Sequence, residues 1–428
     1  MTDNTVAITG MGLVSSLGLD VDANWTRLQA RETGIHETPR GAAPASYRYR
    51  GRIRGFEPPG DIPRPLMSQL RFLNRGSLLG LAAAREAMTA AHAADLPYAP
   101  RRRALYIGAS DTTSVGYPYM YPATREATDG RWQGVDRARL NQAALDKVNP
   151  FFLLESLNNN LFSFLSAYLG FVGPNTSMAT HSPCGSNAVE LAYRSIRQGR
   201  ADVAMAVGCG NWLEDISIYE MRGLGLLSRC RQGAASYRPL SRSRDGFIPG
   251  AGGGALLLEN AAAARQRGAV IHGVVAGVGN TLEVTSATGF GITAEGCRAA
   301  LGSALREAGR ECRDLGMILA HGSATRKGDG AELAAFQTLL GEDAGRVPVT
   351  ALKPYTGHMG STSDVAEIIL GVRAMQESLV PATLNFDRAD SEFARLRISD
   401  RHQESARSRF VSMSNGIGGQ SSALVIEV

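Results

Sequence analysis

Apolar runs of strand length, separated by alanine-rich segments with helical spacing, recur along the whole chain and fix its fold class. The runs are "VAITGMGLV", "ALYIGA", "VAMAVGCG", "GALLLE", "VIHGVVAGVG", "LGMILAHG" and "FVSMSNGIGGQSSALVIEV". Between them, residues 77–94, 186–199 and 295–309 place apolar side chains at the three-to-four-residue period of an amphipathic helix. Strands that are apolar throughout, not alternating, are buried on both faces. Alternation with helices therefore predicts mostly parallel sheet covered by helices, an α/β fold. A further regularity divides the chain. In "GALLLENAAAARQRGAVIHGVV" a strand, a polar arginine-containing link and a second strand follow directly on one another. The seam predicts two α/β halves, residues 1–259 and 260–428. Residues 110–150, rich in Tyr, Pro, Arg and Asp, read as an irregular surface excursion or interface.

Several function classes drop out. No stretch approaches the roughly 18 apolar residues of a membrane helix, and "TVAITGMGLV" reads as a core strand, not a cleavable leader. The expected compartment is the cytoplasm, with no membrane association. The five cysteines, 184, 209, 230, 297 and 312, form no CxxC pair and show no zinc-ligand spacing, so no metal is expected. The net charge of +5 suits an acidic protein partner or plain solubility, and no basic block interleaved with aromatics points to nucleic acid. "TGMGLVSSLG" begins like a dinucleotide fingerprint with Gly10 and Gly12, but the third glycine position is Ser15. None of the three lysines has a tyrosine four residues before it. A nicotinamide reductase is therefore not expected.

Five segments carry the chemistry: "GPNTSMATHSPCGSN" (173–187), "RDGFIPGAGGGALLLE" (244–259), "LAHGSATRKGD" (319–329), "LKPYTGHMGSTSDVAE" (352–367) and "SNGIGGQSSALV" (414–425). Together they resemble the β-ketoacyl-acyl-carrier-protein synthases of the type I/II kind, and the resemblance runs over nearly the whole chain. It implies the thiolase fold, a layered αβαβα sandwich of two duplicated halves. It also implies a homodimer, or a heterodimer with a paralogue, and an acyl-carrier protein as partner. No separate cofactor is implied, because phosphopantetheine arrives on the carrier. By the same resemblance His321 and His358 point at the reacting carbonyl and Lys353 organises them, with Glu367 as its acidic partner. Ser323 and Thr325 would hold the pantetheine arm.

One departure decides the chemistry. The family's block from Gly-Pro through the nucleophilic cysteine to the end of the following helix has the same length here, from Gly173-Pro174 to Val203. Laid on without gaps, it puts Ser182 where the family has cysteine, and Cys184 two residues later in the first helical turn. A thiol at a helix N-terminus is pushed toward thiolate by the helix dipole. A hydroxyl gains far too little from that dipole and needs a positioned base, which His321 or His358 would supply in a Ser-His-His arrangement. The resulting oxygen ester is a weaker electrophile toward a carbanion than a thioester. Acyl transfer to a hydroxyl, amine or water is then favoured over decarboxylative condensation.

By the same resemblance the oxyanion hole would be the backbone N–H groups of Ser182 and Ile417. Three readings stay open at this turn: Ser182 as nucleophile, Cys184 as a displaced nucleophile, or a non-catalytic partner subunit of the chain-length-factor kind. A decarboxylative condensing enzyme using Ser182 or Cys184 is the alternative to acyl transfer. Further departures surround the same pocket. Ile417 and Asn415 stand where the family has phenylalanines, Ala251 where it has Glu, and Val172 where it has Arg.

Overall fold

A computed structural model describes residues 5–38, 45–93, 96–110, 117–128, 130, 132–155, 157, 159–283, 291–405 and 407–428. Ten strands form one sheet. They are β1 (Val6–Val14), β2 (Arg103–Ala109), β3 (Asn175–Ala179), β4 (Val203–Asn211), β5 (Ala251–Asn260), β6 (Gly273–Leu282), β7 (Met317–Leu319), β8 (Val349–Thr350), β9 (Arg409–Asn415) and β10 (Gln420–Glu427). Their order is β8-β7-β9-β10-β6-β1-β5-β4-β2-β3. Read outward from the centre, β1-β5-β4-β2-β3 and β6-β10-β9-β7-β8 are the same path. In each, two antiparallel pairings are followed by two parallel ones. The two half-sheets are thus duplicates in topology. The halves meet where β1 pairs with β6 at Val6–Ile8. The link between β5 and β6 contains a short helix, Ala261–Gln266, capped by the Asn260 side chain.

Five helices complete the layers: α1 (Arg75–Ala90), α2 (Cys184–Arg197), α3 (Ala294–Ala308), α4 (Arg326–Leu340) and α5 (Ser361–Gln376). On the outside of the first half, α1 packs against β1, β5 and β4; on the outside of the second, α3 packs against β6, β10 and α4. Between the two half-sheets lie α2, against β4 and β2, and α5, against β5, β4 and β9. The result is αβαβα. A middle layer faces sheet on both sides and is buried all round. α5 is accordingly buried at every position from Ser361 to Val372. The glycines that mimic a nucleotide motif have a packing role instead. A Cβ at Gly10 or Gly12 would strike the carbonyl oxygens of Ala87 and Ala83, so both residues let α1 lie against β1.

The stretch 410–428 does not remain one strand. It folds back at Gly416–Gly419 into the β9–β10 hairpin. The excursion anticipated at 110–150 holds two helices, Tyr117–Ala127 and Arg137–Lys147; its residues 111–116 fall outside the described part. All five cysteines are free and buried. Among the described residues no helix is long and apolar enough to cross a membrane.

Candidate active site

β3 ends at Ala179 and α2 begins at Cys184, so residues 180–183 form a tight corner between strand and helix. Ser182 lies in that corner and is only 4% exposed. Its hydroxyl donates to Oδ1 of Asp364 at 2.7 Å, while Oδ2 of the same carboxylate accepts the Gly185 N–H at 3.1 Å. This differs from the anticipated Ser-His-His arrangement: the side-chain hydrogen bond of Ser182 runs to a carboxylate and not to an imidazole.

The reason is the crossing of two helices. Gly185 sits where a Cβ would collide with the Ser361 carbonyl oxygen and press on the Asp364 side chain. The start of α5 therefore closes onto the start of α2 and delivers Asp364 beneath the corner. Burial pushes the Asp364 carboxyl up to about 6, against the pull of Lys353 and of the hydroxyls of Ser182 and Ser414.

Cys184 points elsewhere. Its thiol donates to the carbonyls of Thr180 and His181, at 3.1 and 3.0 Å, and is buried. Burial, with the Asp364 charge adding to it, pushes the thiol up to about 11, the opposite of an activated thiolate. The structure does not bring it to the cavity that holds Ser182, so the alternative of a displaced thiol nucleophile loses its geometric basis.

His321 and His358 come from loops of the second half. Immediately after β7, Glu332 of α4 accepts the backbone N–H groups of His321 and Gly322 at 2.7 and 3.0 Å. Lys353, in the single helical turn Lys353–Thr356, donates to the His321 carbonyl at 2.6 Å and to Glu367 at 2.8 Å. Lys353 and Glu367 are both buried, a charge pair whose ammonium also satisfies a backbone carbonyl. The two imidazoles face each other, Nε2 to Nε2, at 3.3 Å. His358 Nδ1 accepts the Gly360 N–H at 3.2 Å, which puts the His358 proton on Nε2. Its Nε2–H then donates toward His321, whose proton resides on Nδ1. Burial first, and the Lys353 charge second, hold both rings well below the usual imidazole range, so they are neutral around pH 7.

Aromatic rings fix the pair. Trp212 stacks on His358 with centroids 4.7 Å apart, Phe247 lies 4.9 Å away, and His181 meets the edge of Trp212 at 5.4 Å. The Trp212 indole N–H is anchored on the Ser110 carbonyl.

These groups line one cavity of about 670 Å³. Its walls include Ser182, His321, His358, Ser323, Thr325 and Ile417. Ser323 and Thr325 share a 2.8 Å hydroxyl–hydroxyl bond. Gly416 passes so close over the corner that a Cβ there would strike the Ser182 carbonyl oxygen. Ile417 is thereby set against Ser182, and among the described residues neither amide N–H has an acceptor within the chain. Arg229, Asp245, Arg326 and Lys327 also line the cavity.

Of the residues singled out in the sequence, Ser182, His321, His358, Ser323, Thr325, Asn415 and Ile417 line the cavity, and Lys353 and Glu367 stand behind it. Cys184 does not line it, nor, against the expectation that they surround the pocket, do Ala251 and the exposed Val172. Four went unrecognised. Trp212 and Phe247 carry no local signal. Glu332 lies on the α4 turn following "HGSAT". Asp364 did leave a trace: an acid three residues before Glu367 on a helix otherwise uncharged until Arg373.

Comparison with known proteins agrees over the whole chain. Residues 3–264 match the family described as beta-ketoacyl synthase, N-terminal domain, and residues 272–387 match beta-ketoacyl synthase, C-terminal domain. The ketoacyl synthase alpha subunit of the tetracenomycin polyketide synthase of Streptomyces glaucescens is 29% identical, over 99% of this chain and 97% of that one. A 3-oxoacyl-[acyl-carrier-protein] synthase 2 of Staphylococcus aureus is 26% identical, over 99% and 98%. Among solved structures, a beta-ketoacyl synthase from Burkholderia phymatum superimposes with a TM-score of 0.85 at 24% identity, covering 99% of both chains. A type II polyketide acyl-carrier protein in complex with its ketosynthase gives 0.84 at 24%, with the same coverage. These likenesses establish the layered, thiolase-like fold.

Proposed function

The chain belongs to the β-ketoacyl synthase family, and on that footing we propose that it is an acyltransferase of specialised fatty-acid or polyketide biosynthesis. It takes an acyl group from an acyl-carrier protein onto Ser182 and passes it to an oxygen, nitrogen or water acceptor. The observation that carries this reading is the Ser182 hydroxyl in the same cavity as His321 and His358. Ester formation at Ser182 gives an intermediate that oxygen and nitrogen nucleophiles or water attack more readily than a carbanion does. The N–H groups of Ser182 and Ile417 would hold the developing oxyanion, and Ser323 and Thr325 the pantetheine arm. Neutral His358 can polarise a carbonyl through its Nε2–H, and neutral His321 can accept the acceptor's proton at Nε2. Lys353 and Glu367 hold the two loops together.

A carrier partner accords with the names of the relatives, which act on or bind acyl-carrier protein. No cofactor beyond the carrier's own arm is part of this reading. The family resemblance favours a homodimer. The outer edge of β3, with Asn175, Thr176 and Ala179 exposed, offers unpaired backbone to a second copy.

The test is peptide mapping after incubation with acyl-loaded carrier protein. An acyl group on residue 182 that survives neutral hydroxylamine, and its loss in Ser182→Ala, are the expected results. A β-keto product two carbons longer in the presence of malonyl-carrier protein would establish a condensing enzyme instead. A chain that never becomes acylated would be a partner subunit.

A further inference from the structure

We infer that Asp364, and not an imidazole, is the base that activates Ser182. The corner then works as a serine–carboxylate dyad, and the two histidines are left for the acceptor. The inference rests on Ser182 being the residue that is acylated.

The geometry is specific. Asp364 Oδ1 lies 2.7 Å from the Ser182 hydroxyl oxygen, within the reach required of a general base. Oδ2 is held by the Gly185 N–H, so the carboxylate cannot swing away. Neither imidazole bonds the Ser182 hydroxyl: the Nε2 atoms face each other, His358 Nδ1 is taken by Gly360, and the buried His321 Nδ1 has no hydrogen-bond partner among the described residues.

The surroundings suit the role. Lys353 faces Asp364 from the turn after β8 and Ser414 from β9. Cys184 faces it from α2, and Glu367 lies one turn along on its own helix. Burial outweighs the lysine and sets the carboxyl near 6. It is therefore ionised at pH 7 yet basic enough to accept a proton as the bond forms.

The step balances. The Ser182 oxygen attacks the thioester carbonyl carbon, a C–O bond forms, and the hydroxyl proton passes to Asp364. The carbonyl π pair moves onto oxygen beneath the two amide N–H groups. When that pair returns, the C–S bond breaks. The pantetheine sulfur leaves with the bonding electrons and takes up the proton that Asp364 had collected, which restores the carboxylate.

A carboxylate that merely caps α2 would have the same geometry, so the test must read chemistry. p-Nitrophenyl acetate needs only an activated serine, whatever acyl chain the enzyme prefers. Release of p-nitrophenolate and the mapped site of acetylation are followed from pH 5 to 9. The wild-type chain is expected to acetylate Ser182 at a rate that rises with pH through an inflection near 6, because only the ionised carboxylate accepts the proton. Asp364→Asn preserves shape, and its amide can still accept from Gly185. It should acetylate about 100-fold or more slowly and show no inflection.

His358→Gln, should Asp364→Asn fail to fold, provides the second reading. It is expected to keep the inflection, since no imidazole produces it. A near-normal rate in Asp364→Asn, or an inflection that vanishes in His358→Gln, overturns the dyad and leaves the acylated serine standing. A wild-type chain never acetylated at Ser182 overturns the serine reading and the dyad together.

Discussion

At the scale of single residues, the corner favours an oxygen over a sulfur at position 182. A thiolate at position 182 would stand against the Asp364 carboxylate. Two like charges about 4 Å apart repel by about 4 kcal/mol at the effective dielectric of a protein site. That corresponds to about three pH units on the thiol. Ser182→Cys is accordingly expected to give a sluggish thiol, and the pair Ser182→Cys with Asp364→Ala a reactive one. Iodoacetamide labelling of residue 182 at pH 7.5 should be about tenfold or more faster in the double variant; equal rates would refute the repulsion. His321, His358, Lys353 and Glu367 were legible because each sits in a short segment whose neighbours identify it. The Ser182–Asp364 bond was not legible, since it joins residues 182 positions apart and exists only once two helices cross. Nor does spacing along the chain show which way the Cys184 thiol turns.

At the scale of elements, strands were readable because sheet buried on both faces writes itself as continuous apolar runs. β9 and β10 merged into one run because a Gly-rich tight turn interrupts hydrophobicity only briefly. What no run of letters conveys is the closeness of α2 to α5, which depends on the missing Cβ of Gly185. Gly185→Ala should push the helices apart, cost about 1–3 kcal/mol in urea unfolding, and slow acylation of Ser182. Unchanged acylation would show that Asp364 tolerates displacement. The turn that carries Lys353 is a second such tie, binding the His321 loop to α5. Lys353→Met leaves Glu367 buried without its cation, and a loss of about 3–5 kcal/mol is expected in the same assay.

At the scale of the molecule, the matching strand paths divide the labour. The first half supplies the corner that holds Ser182, and the second supplies both histidines, the buried acids and the loop at Ile417. The seam at residue 260 was visible from sequence because two strands flank so short a link. The joining of the halves through β1 and β6 was not, because three paired residues leave no mark on hydrophobicity. If β3 offers its free edge to a second copy, light scattering should give twice the chain's 45.5 kDa; a monomer would remove the dimer from the proposal.

The stack of Trp212 on His358 carries a practical consequence. The chain has three tryptophans, and the cavity wall includes Trp212 but neither Trp25, sunk in the core, nor exposed Trp132. An indole pressed against an imidazole is an optical probe already installed beside the chemistry. An acyl tail sliding past it will register in the emission spectrum, without any label being attached.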